Sequence, residues 1–265
     1  MLGFSNVIGT DLGDTWFKLL WKLDKDGRMN KIDNGSFGGG NTYRLEFDFV
    51  SGMIQYPTTR PLSPIMPEGL PPVTTDEDIQ KYFLEYLMNG KLKSNEHYKY
   101  ATWICGGQYT VPFFMDDEKT KYEDVPLTVP DQLEWCINHF KTKGLYNNHC
   151  YITIGYPESN LAYDIPFKTE DERRTSPCLR GIDMKIINDD GKNYLLMHAY
   201  FRSQDLYAGW PENMGGITLL MEYVAGMLDI EVGPLYFSSK GLHCYSHSIE
   251  LLKCRLGKND ATETI

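Results

Sequence analysis

Cys178 stands in the segment SPCLRGIDMK (176–185), after a proline and ahead of an apolar run typical of a buried strand. A cysteine thiolate is a strong nucleophile, so this position could carry covalent catalysis. The plainer alternative is a small buried side chain, which is the commoner role of a free cysteine. The other residues able to do chemistry must decide between these two interpretations.

A second group of such residues is FRSQDLYAGWPENMGG (201–216), between an apolar strand and an apolar helix. Arg202 and Ser203 at a strand end can hold a phosphate through a charged fork and a hydroxyl. Asn213 carries a donor and an acceptor, which suits the polar edge of a base. The glycines and Pro211 predict a rigid polar loop, an unusual place for polar residues unless a ligand satisfies them.

A third group is GLHCYSH (241–247), where a predicted strand ends. His243 and Tyr245 are two residues apart, so they face the same side of that strand and could both donate to one hydroxyl. A hydrogen-bonded pair at a sheet edge, without a ligand, is the alternative.

The bulk composition is that of a soluble globular protein, with 42% hydrophobic and 23% charged residues. We expect a cytoplasmic protein, because the sequence shows neither a secretory signal nor an apolar run of the ~20 residues that span a membrane. The net charge of -10 argues against nucleic-acid and membrane partners. The six cysteines form no CxxC pair, so we expect free thiols and no metal.

Interleaved strand and helix signals predict one α+β domain over residues 1–265. We expect loops in the glycine-rich stretch 34–41 and in the proline-rich stretch 56–75. Helices are predicted after a cap at Asp14 and over 74–90, 131–143 and 217–228. Strands are predicted over 43–50, 150–156, 181–187 and 193–202, and another is predicted within 233–245.

The order of these motifs resembles the thymidylate synthase family. PC before a strand, RSxDxxxGxPxN and then LHxY follow one another over about residues 170–250. The match looks closest to the shorter archaeal- and actinobacterial-type branch, which includes nucleotide hydroxymethylases. The resemblance implies a thymidylate synthase-like fold, with a mixed sheet covered by helices, and a homodimer packed through a sheet.

The resemblance also implies a reaction. The Cys178 thiolate adds to C6 of a pyrimidine nucleoside monophosphate, and C5 then attacks the methylene of the cosubstrate 5,10-methylenetetrahydrofolate. The matching positions give Arg202 and Ser203 to the phosphate, Asn213 to the base, and His243 and Tyr245 to the sugar hydroxyl. Asp205 and Gly209 match the reduced-folate side of the site, and Asp205 also aids proton traffic. Tyr100 matches an active-site tyrosine, Glu85 is the candidate general acid, and Arg174 is a candidate phosphate ligand.

Several positions depart from the family pattern. Leu179 replaces a histidine, Asp183 a glutamine, and Glu212 a phenylalanine. The paired arginines expected before Cys150, which cross the dimer to the phosphate, are absent. The residues that could replace them are Arg60, Arg173, Arg174 and Arg180.

Two products are open in this family. Water added to the exocyclic methylene intermediate gives a 5-hydroxymethyl nucleotide, whereas hydride from tetrahydrofolate gives thymidylate. The departures at Leu179 and Asp183 favour water and therefore a nucleotide hydroxymethylase acting on dUMP, dCMP or CMP. Thymidylate synthesis from dUMP is the first alternative, and Asn213 suits uracil. A catalytically inactive nucleotide- or RNA-binding homologue is the second.

Overall fold

The computed structural model describes residues 3–33, 43–92, 96, 98–119, 121–166 and 174–258. Strands and helices are interleaved along these ranges, with several strands following one another directly. The helices are α1 (Leu12–Asp26), α2 (Asp76–Tyr82), α3 (Ala101–Ile104), α4 (Gln132–Lys143), α5 (Gly209–Leu228) and α6 (Ile249–Arg255). The strands are β1 (Ser5–Gly9), β2 (Arg28–Lys31), β3 (Tyr43–Glu46), β4 (Val50–Ile54), β5 (Gly107–Phe114), β6 (Tyr122–Val129), β7 (Tyr151–Thr153), β8 (Leu179–Asp189), β9 (Lys192–Phe201), β10 (Gln204–Asp205), β11 (Glu231–Ser239) and β12 (Leu242–Tyr245).

A mixed sheet in the order β1-β4-β11-β9-β8-β7 forms the centre of the fold. Side chains alternate between its faces, as β8 shows: Ile182 and Met184 are buried, whereas Asp183 and Lys185 are exposed. Helices α1 and α5 pack against strands of this sheet. The α+β class and the mixed sheet with helices are thus confirmed.

A second, smaller sheet has the strand order β10-β12-β3-β2. Along the chain, its strands stand next to strands of the central sheet. The strand predicted over 43–50 is in fact two, because the chain leaves the small sheet at Glu46 and enters the central sheet at Val50. The stretch 233–245, predicted to contain one strand, likewise contains parts of two strands, β11 and β12. Its turn at Lys240 and Gly241 carries the chain back to the small sheet.

Helix α5 begins eight residues earlier than the apolar pattern indicates. The prediction of a polar loop up to residue 216 is wrong, because Gly209 already starts the helix. Pro211 lies in the first helical turn, where a missing N–H costs little. Gly215 and Gly216 permit close packing: a Cβ on Gly216 would lie 2.4 Å from Cδ1 of Tyr82.

The other helices follow the sequence pattern closely. Helix α1 is capped by Asp11, which accepts from the backbone N–H of Asp14; the prediction of Asp14 as the cap is therefore wrong by one turn. Helix α2 begins with a capping box at Thr75 and continues as a π-helical turn over Phe83–Leu87. Helix α4 follows its Asp131 cap as expected.

The loop predictions have two outcomes. Residues 56–75, all of them described, contain neither helix nor strand, as their prolines indicate. The glycine-rich stretch 34–41 lies outside the described residues. In the described ranges, no helix is long and apolar enough to cross a membrane.

We expect Gly216→Ala to lower the free energy of unfolding by about 1–3 kcal/mol, because the added methyl group would overlap the partly buried Tyr82 ring. The matched control is Gly226→Ala in the same helix, where an added Cβ meets no atom of the described residues within 4 Å. That variant should be as stable as the parent or up to about 1 kcal/mol more stable. Urea unfolding measures both, and equal effects would contradict the packing argument.

Candidate active site

Cys178 lies at the junction of two antiparallel strands. β8 begins directly after it, and Leu179 lies opposite Phe201 at the end of β9. Arg202 follows β9, and its backbone N–H donates to the Cys178 carbonyl at 2.9 Å. The pairing of β8 with β9 therefore places the predicted nucleophile beside the predicted phosphate ligand.

The Arg202 side chain holds the segment before the cysteine. Its Nε donates to the Pro177 carbonyl at 3.0 Å and its Nη2 to the Ser176 carbonyl at 2.7 Å. The guanidinium also lies 5.7 Å from the centre of the Tyr163 ring. Two of its five N–H donors are used on these carbonyls, which leaves three for a ligand.

Burial and charge act in opposite directions on the Cys178 thiol. Burial raises the pKa of Cys178, while the positive charges of Arg202 and Arg180 and a hydrogen bond from Tyr98 lower it. Burial is the larger effect, so the pKa stays above its ordinary value. The thiol is therefore protonated at neutral pH in this state, with groups in place that stabilise the thiolate.

Tyrosines form an aromatic wall around this thiol, which we define as Tyr86, Tyr98 and Tyr100. The predicted Tyr100 accepts a hydrogen bond from the Leu179 N–H at 3.2 Å. Its ring packs edge-on against Tyr86, with centroids 5.2 Å apart, and lies 5.8 Å from Tyr98. Sequence reasoning missed Tyr86 and Tyr98, although Tyr98 precedes Tyr100 by two residues in EHYKYATW.

Residues at the start of α5 form the next part of the site. Asn213 accepts from the Gln204 amide at 3.1 Å, so Gln204, which was not predicted, orients it. Asp205 accepts from the Tyr207 N–H at 3.0 Å, and burial raises the pKa of its carboxyl. Gly209 lies between them: a Cβ there would be 3.5 Å from the Asp205 Cβ and 3.9 Å from the Asn213 Oδ1.

His243 and Tyr245 reach the same region through the small sheet. β10 pairs with β12 in parallel, with Asp205 opposite His243. The rings of His243 and Tyr245 meet edge-on at 4.7 Å, as their spacing predicts. The two predicted motifs are thus neighbours in space.

His243 presents an unused acceptor. It is 2% exposed, and its Nδ1 donates to the Gly241 carbonyl at 2.8 Å. Its Nε2 is buried and has no hydrogen-bond partner in the described part of the chain. Burial lowers the pKa of His243 to about 4, so Nε2 carries a lone pair that a ligand hydroxyl could satisfy.

Arg202 and Ser203 line a cavity of about 420 Å³. A second cavity, of about 220 Å³, is lined by Tyr86 of the aromatic wall together with Glu85, Lys99 and Glu212. Glu85 therefore lies beside the wall.

Arg174 makes a two-fold ion pair with Asp124 on β6, at 2.5 and 2.8 Å. Its guanidinium is thus engaged on the β5–β6 ribbon. A role for Arg174 at the phosphate remains a prediction, as does the role of Glu85. Arg173, another candidate, lies outside the described residues.

Two of the departures from the family pattern lie in different surroundings. The Leu179 side chain is fully buried in the hydrophobic core. Asp183 is exposed on the outer face of the central sheet, where it lies opposite His198 on β9. Among the described residues, no cluster of three or more His, Cys, Asp or Glu side chains could hold a metal ion.

The fold and site together define a class of protein: an α+β protein with a partly buried cysteine beside an arginine at the junction of two strands. The sequence model described as "Thymidylate synthase" matches residues 117–264, more than half of the chain. The chain belongs to the thymidylate synthase family. This family uses methylenetetrahydrofolate as cosubstrate in transfer to C5 of a pyrimidine nucleotide.

Individual relatives agree with this placement. A protein of Methanothermobacter thermautotrophicus is 29% identical over 89% of this chain and 90% of its own length. One of Methanosarcina acetivorans is 36% identical over 29% of this chain and 34% of its own length. Both are named "Putative thymidylate synthase". A "Thymidylate synthase" of Buchnera aphidicola is 30% identical over 31% of this chain and 30% of its own length. The chain thus spans about a third of the Methanosarcina and Buchnera proteins.

The low pKa of His243 should make stability depend on pH. Unfolded histidine binds a proton below about pH 6.5, whereas folded His243 binds one only below about pH 4, so acid favours the unfolded state between these values. We expect this residue to cost up to about 3 kcal/mol of stability by pH 4. His243→Asn keeps a donor for the Gly241 carbonyl but cannot take up this proton. Urea unfolding should therefore show a smaller loss of stability between pH 6.5 and pH 4 in this variant. If the free energies of unfolding of the two proteins fall in parallel as the pH is lowered, this prediction is wrong.

The charge of Arg202 should set the reactivity of Cys178. Arg202→Gln removes both the fork and the charge, and we expect alkylation of Cys178 by iodoacetamide at mildly alkaline pH to slow about tenfold. Arg202→Lys keeps the charge and should slow it much less. Mass spectrometry of the Cys178 peptide gives the rates. Equal rates in the two variants would show that the charge does not act on the thiol.

Proposed function

We propose that the protein transfers a one-carbon unit to C5 of a pyrimidine nucleoside 5'-monophosphate and releases a 5-hydroxymethyl nucleotide. The observation that carries this proposal is the position of Cys178 between the Arg202 fork and the aromatic wall. Asn213 and His243 lie on neighbouring elements, with donors and acceptors of the kind that a base and a sugar require.

In the proposed reaction, the Cys178 sulfur forms a bond to C6 of the pyrimidine, and C5 becomes a carbon nucleophile. C5 then attacks the methylene of methylenetetrahydrofolate. Loss of the C5 proton and cleavage of the bond between the methylene and N5 release tetrahydrofolate and leave an exocyclic methylene on the ring. Water adds to this methylene, and cleavage of the bond between C6 and the Cys178 sulfur releases the 5-hydroxymethyl nucleotide. Arg202 and Tyr98 reduce the cost of forming the thiolate. Asp205, whose pKa burial raises, is placed to take part in proton traffic on the folate side.

The remaining side chains orient the nucleotide. The Asn213 amide, oriented by Gln204, reads the polar edge of the base. The His243 Nε2 accepts a hydrogen bond from a sugar hydroxyl, and Tyr245 lies beside it. Holding base and sugar in this way brings C6 to the sulfur, which lowers the entropic part of the barrier.

The choice of water over hydride rests on the cavity of about 220 Å³ beside the aromatic wall. Glu212 lines it where the family pattern has a phenylalanine, and Glu85 and Lys99 line it too. Such polar walls favour water next to the exocyclic methylene intermediate. Leu179 and Asp183 give this choice no support, because one is buried in the core and the other faces outward.

Thymidylate synthesis from dUMP is the second candidate. Its support is that relatives from Methanothermobacter and Buchnera carry that name, and that Asn213 suits uracil. Uracil and cytosine nucleotides, in ribo and deoxyribo form, are the substrates to compare.

A homodimer packed through the central sheet completes the proposal. One face of that sheet is buried against helices. The opposite face carries partly exposed side chains, among them His198, Tyr200 and Tyr236, in the monomer. Partly apolar sheet faces of this kind are suited to a second copy of the chain.

Turnover can be followed by tritium release from C5 of labelled dUMP, dCMP and CMP in the presence of methylenetetrahydrofolate. We expect release with at least one nucleotide, together with a 5-hydroxymethyl product and tetrahydrofolate. Cys178→Ser should abolish release, because the sulfur makes the covalent bond. The control is Cys254→Ser, another partly buried free cysteine, which should keep normal turnover.

The products separate the candidates. If dihydrofolate absorbance appears together with thymidylate, the protein is a thymidylate synthase and the hydroxymethylase proposal is wrong. Full turnover in Cys178→Ser would overturn the mechanism, and tight nucleotide binding without any tritium release would leave only a binding protein.

A further inference from the structure

The cavity of about 420 Å³ beside Arg202 brings together basic side chains from three separate parts of the chain. Arg202 and Ser203 come from the end of β9, Arg44 from β3, and Lys240 from the turn between β11 and β12. Glu46 and Asp48 also line it. Apart from Arg202 and Ser203, none of these residues belongs to a motif that the sequence singled out.

We propose that Arg44 and Lys240, which line this cavity, are further cationic ligands, from the same chain, of the nucleotide 5'-phosphate that the resemblance gives to Arg202 and Ser203. The assignment rests on the proposed function, since it names the residues that bind one part of that substrate. It also supplies positive charge that the missing arginine pair before Cys150 would otherwise have to provide.

The charges in the cavity leave a positive balance. Arg44 forms a two-fold pair with Glu46, through Nε at 3.0 Å and Nη2 at 2.9 Å. Asp48 is paired with Arg28 at 3.0 Å and accepts from the Gly3 N–H at 2.6 Å. Both carboxylates are thus neutralised by a partner, and the charges of Arg202 and Lys240 remain for a phosphate monoester, which carries nearly two negative charges at neutral pH.

Unused donors point to the same ligand. Arg44 uses two of its five N–H groups on Glu46, as Arg202 uses two on backbone carbonyls. Lys240 adds an exposed ammonium and Ser203 a hydroxyl. A phosphate presents three acceptor oxygens, and charged forks of this kind bind it strongly.

Two residues that line the cavity also lie opposite the residues proposed to bind the sugar. In the register of β3 with β12, Arg44 lies opposite Tyr245 and Glu46 opposite His243. Burial is the main cause of the low pKa of His243 and of the raised pKa of Tyr245, and the positive charge of Arg44 acts on both groups as a smaller effect that favours a lower pKa. Base, sugar and phosphate would then lie in order from Cys178, past His243 and Tyr245, to Arg44.

Gly241 keeps this space open. A Cβ at this position would lie 2.9 Å from the Arg202 carbonyl oxygen and 3.2 Å from the Glu46 Oε1. Any larger residue would therefore press on two of the groups that form the cavity wall.

The test compares a pyrimidine nucleoside 5'-monophosphate with its nucleoside in equilibrium binding to the full chain. We expect Lys240→Gln to weaken binding of the monophosphate about five- to tenfold and Arg44→Gln to weaken it by at least as much. Binding of the nucleoside should change little in either variant. Lys240 is exposed, so its substitution should leave folding intact. Lys240→Gln therefore still tests the assignment if Arg44→Gln disturbs folding by removing the Arg44–Glu46 pair. The control is Lys141→Gln, an exposed lysine in the last turn of α4.

The outcomes also separate this assignment from the proposed function. If the parent protein releases tritium, but Lys240→Gln and Arg44→Gln bind the monophosphate with the same affinity as the parent, the cavity is not the phosphate site. Equal weakening of nucleoside and monophosphate would overturn the assignment as well. If the parent neither binds nor turns over any pyrimidine nucleotide, the proposed function fails and this inference fails with it.

Discussion

The guanidinium of Arg202 is the interaction on which the rest of the site depends. It fixes the carbonyls of Ser176 and Pro177, and so determines where the chain delivers Cys178. The same group opposes the effect of burial on the thiol, and Arg202 is one of the residues that line the neighbouring cavity. One residue therefore connects the position of Cys178, the ionisation of its thiol and a cavity that other basic residues also line. These three properties cannot be changed independently.

Burial gives the titratable groups of the site a common character. It raises the pKa of Cys178 and of Asp205 and lowers that of His243, so each group is pushed toward its neutral form. Without a ligand, the pocket thus holds groups whose polar capacity is not fully used, such as the His243 Nε2. A ligand that supplies the missing partners gains binding free energy without having to reorganise the protein.

The sequence predicted those parts of the site that lie within short motifs along the chain. The motifs around Cys178, Arg202 and His243 end or begin strands, and strand pairing brings them together. Tyr98, Gln204 and Arg44 escaped prediction because their contacts join residues from different elements, which spacing along the chain does not reveal. The start of α5 was misplaced because glycine and proline usually end helices. Here two of these glycines, Gly215 and Gly216, let α2 pack closely against α5.

The order of strands in the central sheet has a consequence for how the protein is made. β11 lies between β4 and β9, although it follows both in the chain. Until β11 has left the ribosome, β4 and β9 each keep an edge without a partner, and open strand edges promote association with other chains. The early part of the chain therefore depends on a late strand for protection. During synthesis, the edges of β4 and β9 that β11 later covers are both open in the interval between β9 and β11.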